Sequence, residues 1–90
     1  MSLKVKVEDL LSSRGRVKVI KTILKYGETN ITKIVRESGL NHRTVKNHLE
    51  FLVKIGLVNE RSYGRVKLYS INYKSPQVLV LKDILLTFEG

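Results

Sequence analysis

Two short runs of helical periodicity broken by one glycine, with a glycine-centred pair of alternating segments behind them, constrain this chain most. Ile31 to Ser38 places Ile31, Ile34 and Val35 on one side at helical spacing. Gly39 ends that run, because glycine reaches the left-handed backbone a helix end requires. Leu40 turns inward and Asn41 caps the next helix, His42 to Ile55, in which Val45, Leu49, Leu52 and Val53 recur on one face. Gly56 closes it. The tight turn sets the second helix against the first and leaves its polar side outward.

The flanks fit one helical unit with a small hairpin. Ser12 or Ser13 caps a helix over Arg14 to Tyr26, whose Val17, Ile20, Ile23 and Leu24 share a face and whose end is Gly27. Thr29 or Asn30 caps the run that follows. Leu57 to Ser62 and Arg65 to Ile71 read as strands around a turn at Tyr63 and Gly64. In the second strand Lys67, Tyr69 and Ile71 share one face, and Val66, Leu68 and Ser70 the other. Ser75 and Pro76 start a last helix running to about Phe88, with more apolar residues than one face can hold. The expected fold class is mainly α with a small β-hairpin. Residues 1–90 read as one domain: an N-terminal segment (1–13, with a short helical stretch at Val7 to Leu11), a central unit (14–71) and a terminal helix (75–88).

Charge narrows the partners. Seventeen Lys and Arg against eight Asp and Glu leave +9, a surface that attracts polyanions. The excess is uneven. Arg14 to Tyr26 carries Arg14, Arg16, Lys18, Lys21 and Lys25 with no acid, whereas Ser75 to Gly90 sets Lys82 against Asp83 and Glu89. The chain has no cysteine, so disulfides, thiolate metal sites and cysteine nucleophiles are excluded. No apolar run reaches membrane-spanning length and the start lacks a signal-peptide stretch, so a cytoplasmic, nucleoid-associated location is expected.

The second helix of the pair has the chemistry of a reader of base edges. Its outward positions are His42, Arg43, Thr44, Lys46, Asn47 and Glu50. Arg pairs with guanine, Asn with adenine, and Thr meets a thymine methyl or a phosphate. Arg61, Arg65 and Lys67 around the hairpin glycine can reach phosphate or a narrow minor groove. The competing view of these three is a solvated hairpin whose charges keep an edge strand from aggregating. Beside a base-reading helix the nucleic-acid role is preferred. Arg14, Arg16, Lys18 and Lys21 are candidates for further phosphate contacts, with a solvated face as an equal alternative. His42 and His48 are six residues apart, not the spacing that puts two ligands on one helix face, and no acid or nucleophile stands in a catalytic arrangement with either. No catalytic residue, metal site or cofactor is expected, and the chain is read as a binding protein, not an enzyme.

The stretch 30–71 resembles the helix-turn-helix and wing of ArsR-like winged-helix regulators, including archaeal relatives. The features that carry the likeness are Gly39-Leu40, Val45, His48-Leu49, Leu52, Gly56-Leu57-Val58, and Gly64-Arg65 with Tyr69 behind it. The resemblance implies a recognition helix at His42 to Ile55, a basic wing at Arg61 to Lys67, and a dimer on a roughly palindromic double-stranded DNA site. It departs from the metal-sensing branch, because no cysteine is present and the last helix offers only Asp83 and Glu89 as ligands. Metal-regulated repression is therefore not carried over, and no small-molecule effector can be named. The surplus apolar surface of the last helix is assigned to a second copy through Val78, Leu81, Ile84, Leu85 and Phe88, with help from Leu3, Val5, Leu10 and Leu11. The alternative is that Leu81, Ile84, Leu85 and Phe88 complete the core of one chain. The preferred function is a sequence-specific homodimeric regulator, most commonly a repressor in similar proteins. A non-specific architectural or chromatin protein and a winged-helix protein-interaction module remain as rivals.

Overall fold

The structure, a computed structural model, describes residues 13–89, with side chains up to Thr87. The expectations for the N-terminal segment, including Ser12, Leu3, Val5, Leu10 and Leu11, and for the Phe88 side chain lie outside the described residues. Among the described residues four helices and one hairpin follow in the order α1 (Arg14–Tyr26), α2 (Ile31–Ser38), α3 (His42–Lys54), β1 (Val58–Tyr63), β2 (Val66–Ile71) and α4 (Pro76–Glu89). This is the winged helix-turn-helix architecture, with the C-terminal helix present.

Local chemistry sets the helix boundaries. Ser13 Oγ accepts from the Arg16 amide at 3.2 Å, Asn30 Oδ1 from Lys33 at 2.9 Å, and Asn41 Oδ1 from Thr44 at 2.8 Å. Each such cap satisfies an orphan amide and is worth about 1 kcal/mol. Of the alternatives open in the sequence, Ser13 and Asn30 are the caps. At the helix-turn-helix corner Gly39 sits at φ +74°, and its amide donates to the Val35 carbonyl at 3.1 Å. The Ser38 hydroxyl accepts from the Leu40 amide at 3.2 Å and completes the corner.

The core takes Val19, Ile20 and Ile23 from α1, Ile34 from α2, and Val45, Leu49 and Leu52 from α3. Ile55, Leu57, Val58, Tyr69 and Ile71 join from the hairpin and its approach, and Val78 and Leu81 from α4. The buried face of α1 is centred on Val19 and Ile20, and Val17 is only half-buried at its flank. Helical spacing alone had favoured Val17 and passed over Val19. Thr22 is buried on the same face and its hydroxyl donates back to the Lys18 carbonyl at 2.8 Å, which makes that burial affordable.

The hairpin register runs from Val58 opposite Ile71 to Tyr63 opposite Val66. The turn is therefore at Gly64 and Arg65, one residue later than the sequence implies. Gly64 takes φ +63° and Arg65 a negative φ, the sign pattern of a type II′ turn, which needs glycine first. Two anchors hold the hairpin to the helices. Thr29 and Tyr69 exchange backbone bonds of 2.9 and 2.7 Å. Asn72 donates its amide to the Leu57 carbonyl and its Nδ2 to the Gly56 carbonyl, both at 2.9 Å.

The last helix corrects part of the sequence reading. Val78 and Leu81 are only 2% and 6% exposed within the single chain, and Leu85 packs partly against the same core. Val78 and Leu81 thus have no surface to give a second copy. They close over Ile20, Leu24, Leu57, Val58 and Ile71, leaving a small apolar crevice. The face left uncovered is a different one: Leu79, Val80 and Leu86 are 55%, 60% and 61% exposed, and Ile84 is half-buried.

Because Gly39 occupies a left-handed conformation, Gly39→Ala is expected to cost about 1–2 kcal/mol of unfolding free energy. Gly39→Asn should cost less, since Asn tolerates that region. Urea denaturation of the three proteins checks the order.

Candidate nucleic-acid interface

α3 is about 20 Å long and divided along its length. Val45, Leu49 and Leu52 are fully buried and fix one side to the core. On the other side His42, Arg43, Lys46, Asn47 and Glu50 line one continuous open surface. Their spacings of three and four residues stack them on one helix face. Thr44, expected among them, does not share this surface. It is half-buried at the flank, and its amide is taken by the Asn41 cap.

The first turn of α1 buttresses α3 from behind. Gly15 lies so close to α3 that a Cβ there would stand 2.9 Å from His48 Nε2 and 3.4 Å from Leu40 Cδ1. The Arg16 guanidinium lies over the Phe51 ring at 4.1 Å from its centroid. A cation–aromatic contact of this kind contributes about 0.5–2 kcal/mol. Arg16, a candidate phosphate contact, is half-buried with its guanidinium stacked on this ring. Arg14 and Lys18 are exposed and remain available. His48 is half-buried, and burial first, then the Arg16 charge, hold its pKa below the usual histidine value. It serves as packing between helices, and His42 stands apart from it on the open surface.

The three basic wing residues do not form one cluster. Arg61 pairs with Leu68 and Ser62 with Lys67 in the register, so Arg61 and Lys67 point to opposite faces. Arg61 Nη2 donates to Glu28 Oε1 at 2.6 Å, in an ion pair linking β1 to the α1–α2 connection. Lys67 Nζ is 3.9 Å from Glu60 Oε1. The Glu60 carboxylate also accepts from the Tyr69 hydroxyl at 3.0 Å. Burial and that carboxylate push the Tyr69 phenol up to about 12, so it stays a donor. Arg65, at the tip, has no ion-pair partner among the described residues. Exposed pairs such as these are worth roughly 0–1 kcal/mol, so a phosphate can displace either acid.

Sequence reasoning missed the partners that lie far along the chain: Gly15 against His48, Phe51 under Arg16, and Glu28 beside Arg61. The one available signal was Gly15 itself, an isolated glycine inside a helical run, which often marks close packing. Among the described residues no three His, Asp or Glu side chains come together as a metal-binding group, and no helix is long and apolar enough to cross a membrane.

Comparison with known proteins agrees with this geometry. A family model described as winged helix-turn-helix matches residues 13–79. No curated protein matches the chain. Among solved structures, the antimony-specific transcriptional repressor AntR is 20% identical, with a TM-score of 0.75 over 88% of this chain and 69% of its own. The transcriptional repressor BigR from Xylella fastidiosa is 21% identical, with a TM-score of 0.75 over 90% of this chain and 80% of its own. BpsR from Bordetella bronchiseptica, whose DNA binding is regulated by 6-hydroxynicotinic acid, is 18% identical with a TM-score of 0.71. The match covers 84% of this chain but only 53% of BpsR, so the chain spans about half the length of that protein. At these identities the likeness is one of fold.

A histidine whose folded pKa lies below its unfolded value takes its proton more readily in the unfolded chain. The stability linked to His48 is then full above about pH 6.5 and declines as pH falls through the window below it. The urea midpoint should drop between pH 7 and pH 5, and drop less in His48→Gln, as equilibrium unfolding at the two pH values measures.

Proposed function

The chain belongs to the winged helix-turn-helix family, and from that premise we propose that it is a sequence-specific regulator of transcription that binds double-stranded DNA as a homodimer and represses by occupying its site. The observation that carries this reading is the open surface of His42, Arg43, Lys46, Asn47 and Glu50 on a helix whose other side is locked into the core. A helix so placed can enter a major groove with its N-terminal half, where Arg43 and Asn47 have the donors and acceptors to pair with guanine and adenine. Arg65 at the wing tip, with Arg14 and Lys18 on α1, supplies charge for the phosphate backbone, which positions the helix without reading sequence. Arg61 and Lys67 add to it once phosphates replace Glu28 and Glu60. Binding to DNA in the cytoplasmic nucleoid requires no catalytic group and no cofactor.

The homodimer rests on α4. Leu79, Val80 and Leu86 leave an apolar face uncovered beside the half-buried Ile84, in a segment whose formal charge is close to neutral. A second copy would bury it and place two recognition helices about one helical turn of DNA apart. The role assigned to Val78 and Leu81 in the sequence thus passes to their exposed neighbours.

Selection of bound sequences from a random duplex pool, with sedimentation of the complex, tests the proposal. A preferred site should be bound roughly a thousandfold or more above random duplex, by two chains. Arg43→Ala and Asn47→Ala should each relax the preference at one base position, by about 1–3 kcal/mol. Arg65→Ala should weaken all sequences alike and reduce the salt slope by about 1. Equal affinity for all duplexes would instead identify an architectural protein, and absence of salt-sensitive binding would identify a protein-interaction module.

A further inference from the structure

The tip of the wing carries two side chains that phosphate contact leaves unused. Tyr63 and Val66 face each other across the turn in the last pair of the register, so both stand on one face of the hairpin. Arg61 and Leu68, two pairs below, share that face. Tyr63 is 68% exposed and Val66 48%. The Arg61 guanidinium lies 5.3 Å from the centroid of the Tyr63 ring. On its other side the guanidinium pairs with Glu28, so in the free protein the ring lies beside a cation.

A cross-strand pair of an aromatic and a β-branched residue accounts for some hairpin stability. It does not account for leaving that pair uncovered at the end of an exposed edge, where natural sheets place charge to prevent pairing with other chains. Here the charge is present as a rim: Arg65 in the turn, Arg61 on the same face and Lys67 on the other. An apolar centre inside a cationic rim complements the wall of a DNA groove, where deoxyribose rings and base edges lie between rows of phosphates. Its cationic rim disfavours docking of the same tip from a second copy.

We propose that Tyr63 and Val66 are a DNA-contacting apolar pair that packs against deoxyribose and base edges inside a groove of the duplex, with Arg65 on an adjacent phosphate. This rests on the DNA-binding reading above and assigns the wing a contact that is apolar, where its basic residues offer only charge. The pair adds affinity that does not depend on counterion release. It favours stretches whose groove width admits a tyrosine ring.

The chain contains no tryptophan, so Tyr63→Trp places the sole indole at the tip. On titration with random-sequence duplex DNA its emission should shift to the blue and become protected from iodide quenching. Tyr63→Ala should weaken duplex binding by on the order of tenfold. Its salt slope should match the original, because no charge is removed, and Tyr63→Phe should bind as the original does. Urea unfolding of each variant separates loss of the contact from loss of the hairpin, and the tryptophan signal is read only from folded, duplex-bound protein. An indole that stays water-exposed in the complex, or a folded Tyr63→Ala that binds as tightly as the original, overturns the proposal while leaving the DNA-binding reading intact. A Tyr63→Ala that changes the sedimentation of the free protein and not its duplex affinity also overturns it, by identifying the tip as a protein contact. If the unaltered protein shows no salt-sensitive duplex binding, both readings fail together.

Discussion

The burial of Val45, Leu49 and Leu52 along one side of α3 is the interaction on which the rest of this structure depends. Those side chains can be satisfied only by the core formed with α1, α2 and the hairpin, so the helix cannot rotate without exposing them. The same constraint leaves Arg43, Lys46, Asn47 and Glu50 no place except solvent. Fold stability and the exposure of the polar surface are thus one physical fact: the apolar side holds the helix rigid and the polar side is what it presents. Rigidity matters for a base reader, because a side chain that must first be ordered loses part of its binding energy to entropy.

The supports around α3 extend this logic. α2 meets it through the Gly39 corner, whose hydrogen bonds to Val35 and Ser38 leave little freedom in the turn. α1 meets it through Gly15, His48, Arg16 and Phe51, a contact so close that a side chain at residue 15 would have to push the His48 ring aside. The wing is fastened separately, by the Thr29–Tyr69 bonds, the Asn72 bonds and the Arg61–Glu28 ion pair. Its base is therefore rigid, and its tip extends from it with Tyr63, Arg65 and Val66 uncovered.

What could be read from the sequence was whatever local chemistry determines. Asn41 before His42 and Gly39 after Ser38 announce a helix start and a helix end with no reference to the rest of the chain, and both are as expected. The division of α3 into buried and open sides followed from helical period, except at its flank, where Thr44 and Val53 are half-buried. Contacts between distant segments were not legible, because nothing in a sequence ties Glu28 to Arg61 or Phe51 to Arg16. The turn was displaced by one residue because Tyr63 pairs with Val66 and passes the corner to Gly64 and Arg65. α4 failed in an instructive way. A helix apolar on more than one side does not declare which side its own core takes, and Val78 and Leu81 went inward while Leu79 and Val80 stayed out. Of the residues assigned to DNA, Thr44 and Arg16 are half-buried, Thr44 at the flank of the helix and Arg16 with its guanidinium over an aromatic ring.

The central claim is that the open side of α3 is the surface DNA occupies while the buried side does not move. Amide chemical-shift perturbation on titrating the full chain with its selected duplex measures this most directly. The account predicts that the largest changes fall on His42 to Glu50 and on the wing from Arg61 to Lys67, with Val19, Ile34 and Leu52 nearly unshifted. Changes concentrated on α4 or on the basic outer side of α1, with α3 unperturbed at saturation, would contradict it.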